Sequence, residues 1–202
     1  MLVKNFIEPP IDNNNYLIID EESKEAALID CSAVDDDIRQ ELKAQGARLK
    51  YILLTHGHFD HIAGLRPNFN VPVLMHKNDL GWVQNVNKYM PMMGMPEMTI
   101  PKIDKYIEDN EIIKLGNKEI KVIHTPGHTQ GGVCFYVDGK LFSGDTIFRE
   151  AVGRCDLEGG DFDQIVESIE SKIFTLPPET VIYPGHGRIT SVEWEIENNK
   201  FL

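Results

Sequence analysis

The amino-acid sequence predicts a mixed α/β (α+β) fold in which two sheets are covered by helices. Short strand-like runs recur along the chain, first in pairs and then alternating with helical stretches. That order suits two sheets better than one doubly wound parallel sheet. Hydrophobic residues make up 42% and charged residues 26% of 202 positions, a balance with which a chain of this length buries a core without disulfide staples. No long linker, internal repeat or low-complexity tract interrupts it, so one domain over 1–202 is expected.

Taken in order, the strand-like runs are NYLIID (15–20), EAALID (25–30), KYILLT (50–55), PVLMH (72–76), EIIKL (111–115), EIKVIHT (119–125), GVCFYV (132–137) and KLFSGD (140–145). Most are rich in β-branched or aromatic residues, and Gly, Pro, Asn or Asp bounds several of them. Asp138-Gly139 between the last two suits a tight hairpin. A helix is expected over Val34–Gln45, with Val34, Ile38 and Leu42 on one face, Asp35 to Asp37 at its positive end and Gly46 after it. A second is expected over Asp161–Phe174, where Phe162, Ile165, Val166, Ile169 and Ile173 repeat at helical spacing and Asp161 with Gln164 resembles a capping box. A further short strand, VIYP, precedes His186. The segment Met90–Met98 holds five of the seven methionines. It reads equally as an adaptable apolar lid or as a loop packed on the core.

Composition narrows the function. The formal net charge is −12, and a surface of that sign repels polyanions, which argues against a nucleic-acid partner. Cys31, Cys134 and Cys155 form no C-x-x-C pair, so neither a disulfide framework nor a thiolate zinc site is expected. The N-terminal residues lack an apolar signal core and no run reaches transmembrane length, so a cytoplasmic location with no membrane partner is expected.

The chemistry concentrates in LLTHGHFDHIAG, where His56, His58, Asp60 and His61 fall within six positions just after an apolar run. Three neutral imidazoles and a carboxylate at a strand end suit zinc or another borderline divalent metal. A helix start with packed histidines is the bland alternative. It is disfavoured because imidazoles crowd badly around no cation. His128 in HTPGHTQGG, Asp145 in KLFSGDTIF and His186 in VIYPGHG each follow another strand-like run beside glycine. Singly each is as well read as a cap or turn residue, but four such segments in one small domain point to a site.

These residues resemble the ligand set of the metallo-β-lactamase-fold hydrolases, and the resemblance covers the chain from NNNYLIID to the last histidine. It implies a four-layer αββα sandwich, two mixed sheets flanked by helices, with a dinuclear metal site along one sheet edge. His56, His58 and His128 would hold one ion, Asp60, His61 and His186 the other, and Asp145 would bridge them. Two divalent ions are implied, zinc first, with iron or manganese as alternatives. Asp30 would orient a ligand. FREAVGRCDLEGGD and YPGHGRITSVEWEIENN are similar to the glyoxalase II group, the hydroxyacylglutathione hydrolases, especially short bacterial members. Arg154 and Asp156 would form a pair, either at the substrate edge or, in the preferred reading, as a buried salt bridge. Cys155 stands where that group is expected to carry threonine. The larger members add a helical glutathione-binding domain, whereas this chain ends sixteen residues after His186, so no glutathione contacts carry over.

The resemblance implies a metal-dependent hydrolase that cleaves a small thioester with a metal-bound hydroxide, which Asp60 would orient. The expected partner is a small-molecule thioester, and the chain a monomer or homodimer. A mononuclear iron persulfide dioxygenase and a lactone hydrolase are rivals on the same fold. A metal-stabilised binding module without turnover is the rival of another class.

Overall fold

We describe a computed structural model over residues 1–9, 11–32, 35–65 and 70–202, the side chains of Asp35 and Met93 excepted. Strand β1 (Leu2–Glu8) pairs antiparallel with β2 (Asn13–Ile19), and β2 antiparallel with β3 (Glu25–Ile29). From β3 onward, β4 (Arg48–Leu53), β5 (Val73–His76) and β6 (Lys105–Ile107) run parallel, completing a six-stranded mixed sheet in sequential order. In the second sheet β7 (Ile112–Leu115), β8 (Lys118–His124), β9 (Val133–Val137) and β10 (Lys140–Gly144) form an antiparallel meander. A short hairpin of β11 (Ile147–Phe148) and β12 (Ala151–Val152) follows. Then β13 (Val181–Pro184) returns parallel to β10, with β14 (Thr190–Ser191) at the edge.

Alternation along the strands sorts the core into three layers. Tyr16, Ile18, Ala27, Ile29 and Leu53 face Ile120, Val122, Val133, Phe135 and Phe142 between the sheets. The alternate residues Leu17, Ile19, Ala26, Leu28 and Ile52 pack on Ile38 of α1 (Asp35–Gln45), Ile62 of α2 (Phe59–Ile62), Val83 of α3 (Leu80–Gln84) and Val86 of α4 (Val86–Tyr89). Beyond the second sheet, Ile123, Cys134, Leu141 and Ile182 pack on Ile165 of α5 (Phe162–Ser168), on Ile169 and Ile173, and on Val192 of α6 (Val192–Asn198). The order is therefore helix, sheet, sheet, helix. Because both faces of the inner strands are covered, YLII and AALI read as unbroken apolar runs rather than alternating ones.

The expected helices form with three differences. Helix α1 spans Asp35–Gln45, with Ile38 buried, Leu42 packed on the core and Gly46 at φ +61° ending it; Val34 lies outside the described residues. Phe162, expected on the apolar face of the second helix, is 46% exposed, because the buried row is Ile165, Ile169 and Ile173. That strict spacing of four runs ahead of an α-helix by roughly 40° per step. The chain corrects it with a π-helical turn over Ile169–Ile173, which winds the row back onto the sheet. Only half of the capping box forms: Asp161 accepts from the Gln164 N–H at 3.0 Å, while the Gln164 side chain accepts from Gln130. The Asp138-Gly139 hairpin is as expected, both residues having positive φ.

This topology gathers the functional loops at one edge. The C-terminal ends of β4, β8, β10 and β13 lead into the segments that carry His56, His128, Asp145 and His186. Asn13 to Asn15 tie the two halves together. The Asn14 N–H donates to Gly185 O at 2.7 Å and its side chain to Pro184 O at 2.9 Å, while Asn15 Oδ1 accepts from the Ser32 N–H at 2.7 Å.

Candidate metal centre

The seven residues singled out from the sequence come together. His56, His58 and His128 offer ligand atoms within 4.8 Å of one another, as do Asp60, His61 and His186, and His56, His61 and Asp145 form a third such group linking the two. Asp145 lies between the groups, with Oδ1 3.3 Å from His61 Nε2 and Oδ2 3.6 Å from both His128 Nε2 and His186 Nε2. Asp60 Oδ2 is 3.3 Å from His186 Nε2. A side chain at position 185 would collide with this arrangement: a Cβ there would land on Asp145 Oδ1 and 2.8 Å from His61 Cε1.

Hydrogen bonds behind the cluster set the imidazole tautomers. His128 Nδ1 lies 2.7 Å from Arg154 O, a pure acceptor, so Nδ1 carries the proton and Nε2 presents its lone pair inward. Asp30 does the same for His61, with Oδ2 2.7 Å from Nδ1. Asp30 also accepts from the Thr55 hydroxyl at 2.8 Å, which uses that hydroxyl's only hydrogen. Thr55 Oγ1, 3.0 Å from His56 Nδ1, must therefore accept there, and His56 Nε2 faces inward as well. One carboxylate thus orients two of the imidazoles. The orienting role expected of Asp30 has this geometry behind it.

The donors fit a cation. His56 Nε2, His61 Nε2 and Asp145 Oδ1 are buried without any hydrogen-bond partner, an expensive arrangement for a protein with nothing to place among them. His58 Nδ1 and His128 Nε2 converge to 3.0 Å. Electrostatics divide the cluster. Burial and the neighbouring imidazoles hold His56 well below the ordinary histidine value, and burial with His128 pushes His58 down to about 3. Around His61 burial opposes the charge, yet Asp30, Asp145 and Asp60 raise it well above the usual value. At His186 burial is likewise outweighed, by Asp60 and Asp145. Burial would raise Asp145, but His61, His128 and His186 hold it well below the carboxylate range. His56 and His58 reject protons while offering lone pairs; His61 and His186 attract positive charge.

Two features differ from, or add to, the sequence reading. Arg154 and Asp156 do form a bidentate pair, at 2.7 and 2.8 Å, but their side chains are 61% and 68% exposed. The pair sits at the mouth of the cleft and is not a buried bridge. Arg154 supports the site through its backbone carbonyl, on His128. Asp79, which nothing in the sequence flagged, is fully buried and accepts from the Gly57 N–H at 2.9 Å, the Gly131 N–H at 2.7 Å and the Thr129 hydroxyl at 2.8 Å. It thereby joins the loop between His56 and His58 to the loop after His128. Its burial raises its pKa in spite of these bonds.

A cleft of about 590 Å³ opens over the cluster, with His58, Asp60, His128, Asp145 and His186 at its floor. Trp82, Tyr89 and Met92 form one wall, and Phe148, Val152 and Leu157 belong to the other. The methionine-rich segment divides between both of its readings. Met90 is buried and Met95 and Met98 pack on the core, whereas Met92, 80% exposed, lines the cleft.

Comparison with known proteins agrees with this geometry. The family model described as "Metallo-beta-lactamase superfamily" matches residues 9–186. The chain is 35% identical to "Probable metallo-hydrolase YqgX" of Bacillus subtilis over 96% of this chain and 93% of that one. It is 31% identical to "Hydroxyacylglutathione hydrolase GloC" of Haemophilus influenzae over 93% and 92%. Among solved structures, a B3 metallo-beta-lactamase, BLEG-1, superposes with a TM-score of 0.90 at 34% identity, covering 100% of this chain and 99% of its own. The protein TTHA1623, solved in a di-iron-bound form, superposes with a TM-score of 0.89 at 32% identity over 99% and 100%.

Proposed function

Because the chain belongs to the metallo-beta-lactamase superfamily of metal-dependent hydrolases, we propose that its reaction is the hydrolysis of a small thioester, of the glyoxalase II type. One domain spanning 1–202 carries it, and His56, His58, His128, Asp60, His61, His186 and Asp145 are its metal ligands. The observation that carries the reading is the set of three buried donor atoms without a hydrogen-bond partner, His56 Nε2, His61 Nε2 and Asp145 Oδ1, which form one ligand group beneath an open cleft. The kinship with a hydroxyacylglutathione hydrolase supports the thioester. We assign two divalent ions, zinc first; iron is the next choice because a similar protein was solved with two irons.

Such ions would lower the pKa of coordinated water to about 7 and polarise the scissile carbonyl. The chain's own residues do the rest. Asp60, which faces the cleft, accepts a hydrogen bond from the attacking water and so orients it. Asp30 and Thr55 keep His61 and His56 in the tautomers that face the ions. The apolar walls keep bulk water from the carbonyl. In balance, the water oxygen bonds to the acyl carbon and the carbon–sulfur bond breaks. The sulfur leaves with the electron pair and takes up a proton, giving a carboxylic acid and a thiol.

His58→Ala and Asp145→Ala are each expected to abolish thioester hydrolysis and to lower the bound metal, measured by elemental analysis. Full activity in either metal-stripped variant would sink the assignment. Oxygen uptake with a persulfide separates the dioxygenase alternative.

A further inference from the structure

The charge inventory of the cleft bears on what its substrate carries. Among the described residues, Arg154 is the only arginine or lysine that lines it, and its charge is already offset by Asp156, which accepts from Nε and Nη2 along one edge of the guanidinium at 2.7 and 2.8 Å. Beside the cleft Glu158 adds a negative charge, accepting from the hydroxyl of the lining residue Tyr89 at 3.3 Å. The walls themselves are apolar down to the ligands. The Trp82 ring stands edge-on to His58, centroids 4.4 Å apart, and against Tyr89 at 4.9 Å. Across the cleft Phe148 stands against His186 at 6.1 Å. A carboxylate bound between such walls, away from the metal cluster, loses its hydration and gains no unpaired side-chain cation, and the net charge of −12 repels it from a distance. An aromatic or aliphatic group gains contact with both walls.

We propose that the preferred substrates are thioesters with an apolar or aromatic body and an uncharged thiol arm, rather than thioesters of a carboxylate-bearing peptide such as glutathione. This inference rests on the thioester reading above. The test compares, on the zinc-loaded full chain, the phenylacetyl thioester of N-acetylcysteamine with the phenylacetyl thioester of glutathione. A kcat/KM at least about tenfold higher for the uncharged thiol is expected, which corresponds to about 1.4 kcal/mol. Equal or better turnover of the glutathione thioester would overturn the inference and leave thioester hydrolysis standing. Absence of turnover with both would strike the thioester reading itself.

Two further readouts keep the cases apart. Trp82 reports binding of the corresponding non-hydrolysable thioethers by fluorescence in a Trp194→Phe background. At least tenfold tighter binding of the uncharged analogue is expected, and equal affinity for the two contradicts the inference. Met92, whose exposure makes substitution harmless to the core, is replaced in Met92→Lys. The added cation is expected to shift the kcat/KM ratio at least threefold toward the glutathione thioester; an unmoved ratio counts against the wall as the determinant.

Discussion

Asp30 and Asp79 show how little of a metal site is its ligands. Asp30 holds the Thr55 N–H, the Thr55 hydroxyl and His61 Nδ1 at 2.7–2.8 Å, so both ion groups depend on one carboxylate. An amide cannot accept all three of those donors. Asp30→Asn is therefore expected to lower zinc affinity by about 10- to 100-fold, read by competition with a chromogenic chelator; unchanged affinity would remove Asp30 from the assembly. Asp79→Ala strands the buried N–H groups of Gly57 and Gly131. Each stranded group costs on the order of 1–3 kcal/mol, and a urea midpoint measured on metal-free protein checks this. A midpoint equal to that of the parent would show that the clamp contributes nothing. Asp30 was legible in the sequence because it ends a strand-like run and matches a family position. Asp79 was not, because its partners come from 22 and 52 residues away and two of them are backbone groups.

Between the elements, the strands were the legible part. Double-sided burial writes YLII of β2 and AALI of β3 as continuous apolar runs, and an aspartate follows each. Strand β1 was missed because it is a half-buried edge strand interrupted by Lys4 and Asn5, and β6 because only three residues pair there. The π turn after α5 was unreadable from propensity; it answers the geometry of the sheet it covers. Behind the first ligand group, β5 and β8, from opposite sheets, end in a stacked pair, His76 on His124, with ring centroids 4.2 Å apart and planes 15° apart. Burial and His124 push His76 down to about 4. Unfolded chains therefore take up this proton first as pH falls. The stability associated with His76 is intact above about pH 6.5 and is lost as pH drops toward 4. Lys77 works in the same direction, and Glu108 and Asp109 oppose it. His76→Gln is expected to flatten the pH dependence of the urea midpoint across that window, and a slope identical to the parent's would contradict the assignment.

At the scale of the molecule, two sheets meet so that loops distant in sequence share one edge. Among the described residues no helix is long and apolar enough to cross a membrane. The seven residues of the proposed metal cluster were readable because metal chemistry demands particular side chains, here at strand ends, and a sequence displays side chains directly. The cleft was not readable: its walls come from segments more than fifty residues apart, and Trp82 or Phe148 alone looks like any core aromatic. The central claim is that the seven-residue cluster binds divalent metal and that hydrolysis depends on it. The direct measurement is a zinc titration of chelator-stripped protein, with thioester hydrolysis and bound zinc followed together. Activity is expected to be absent without metal and to rise with zinc occupancy to a plateau at two ions per chain. Full hydrolysis by the stripped protein, or saturation with zinc without hydrolysis, would contradict the account.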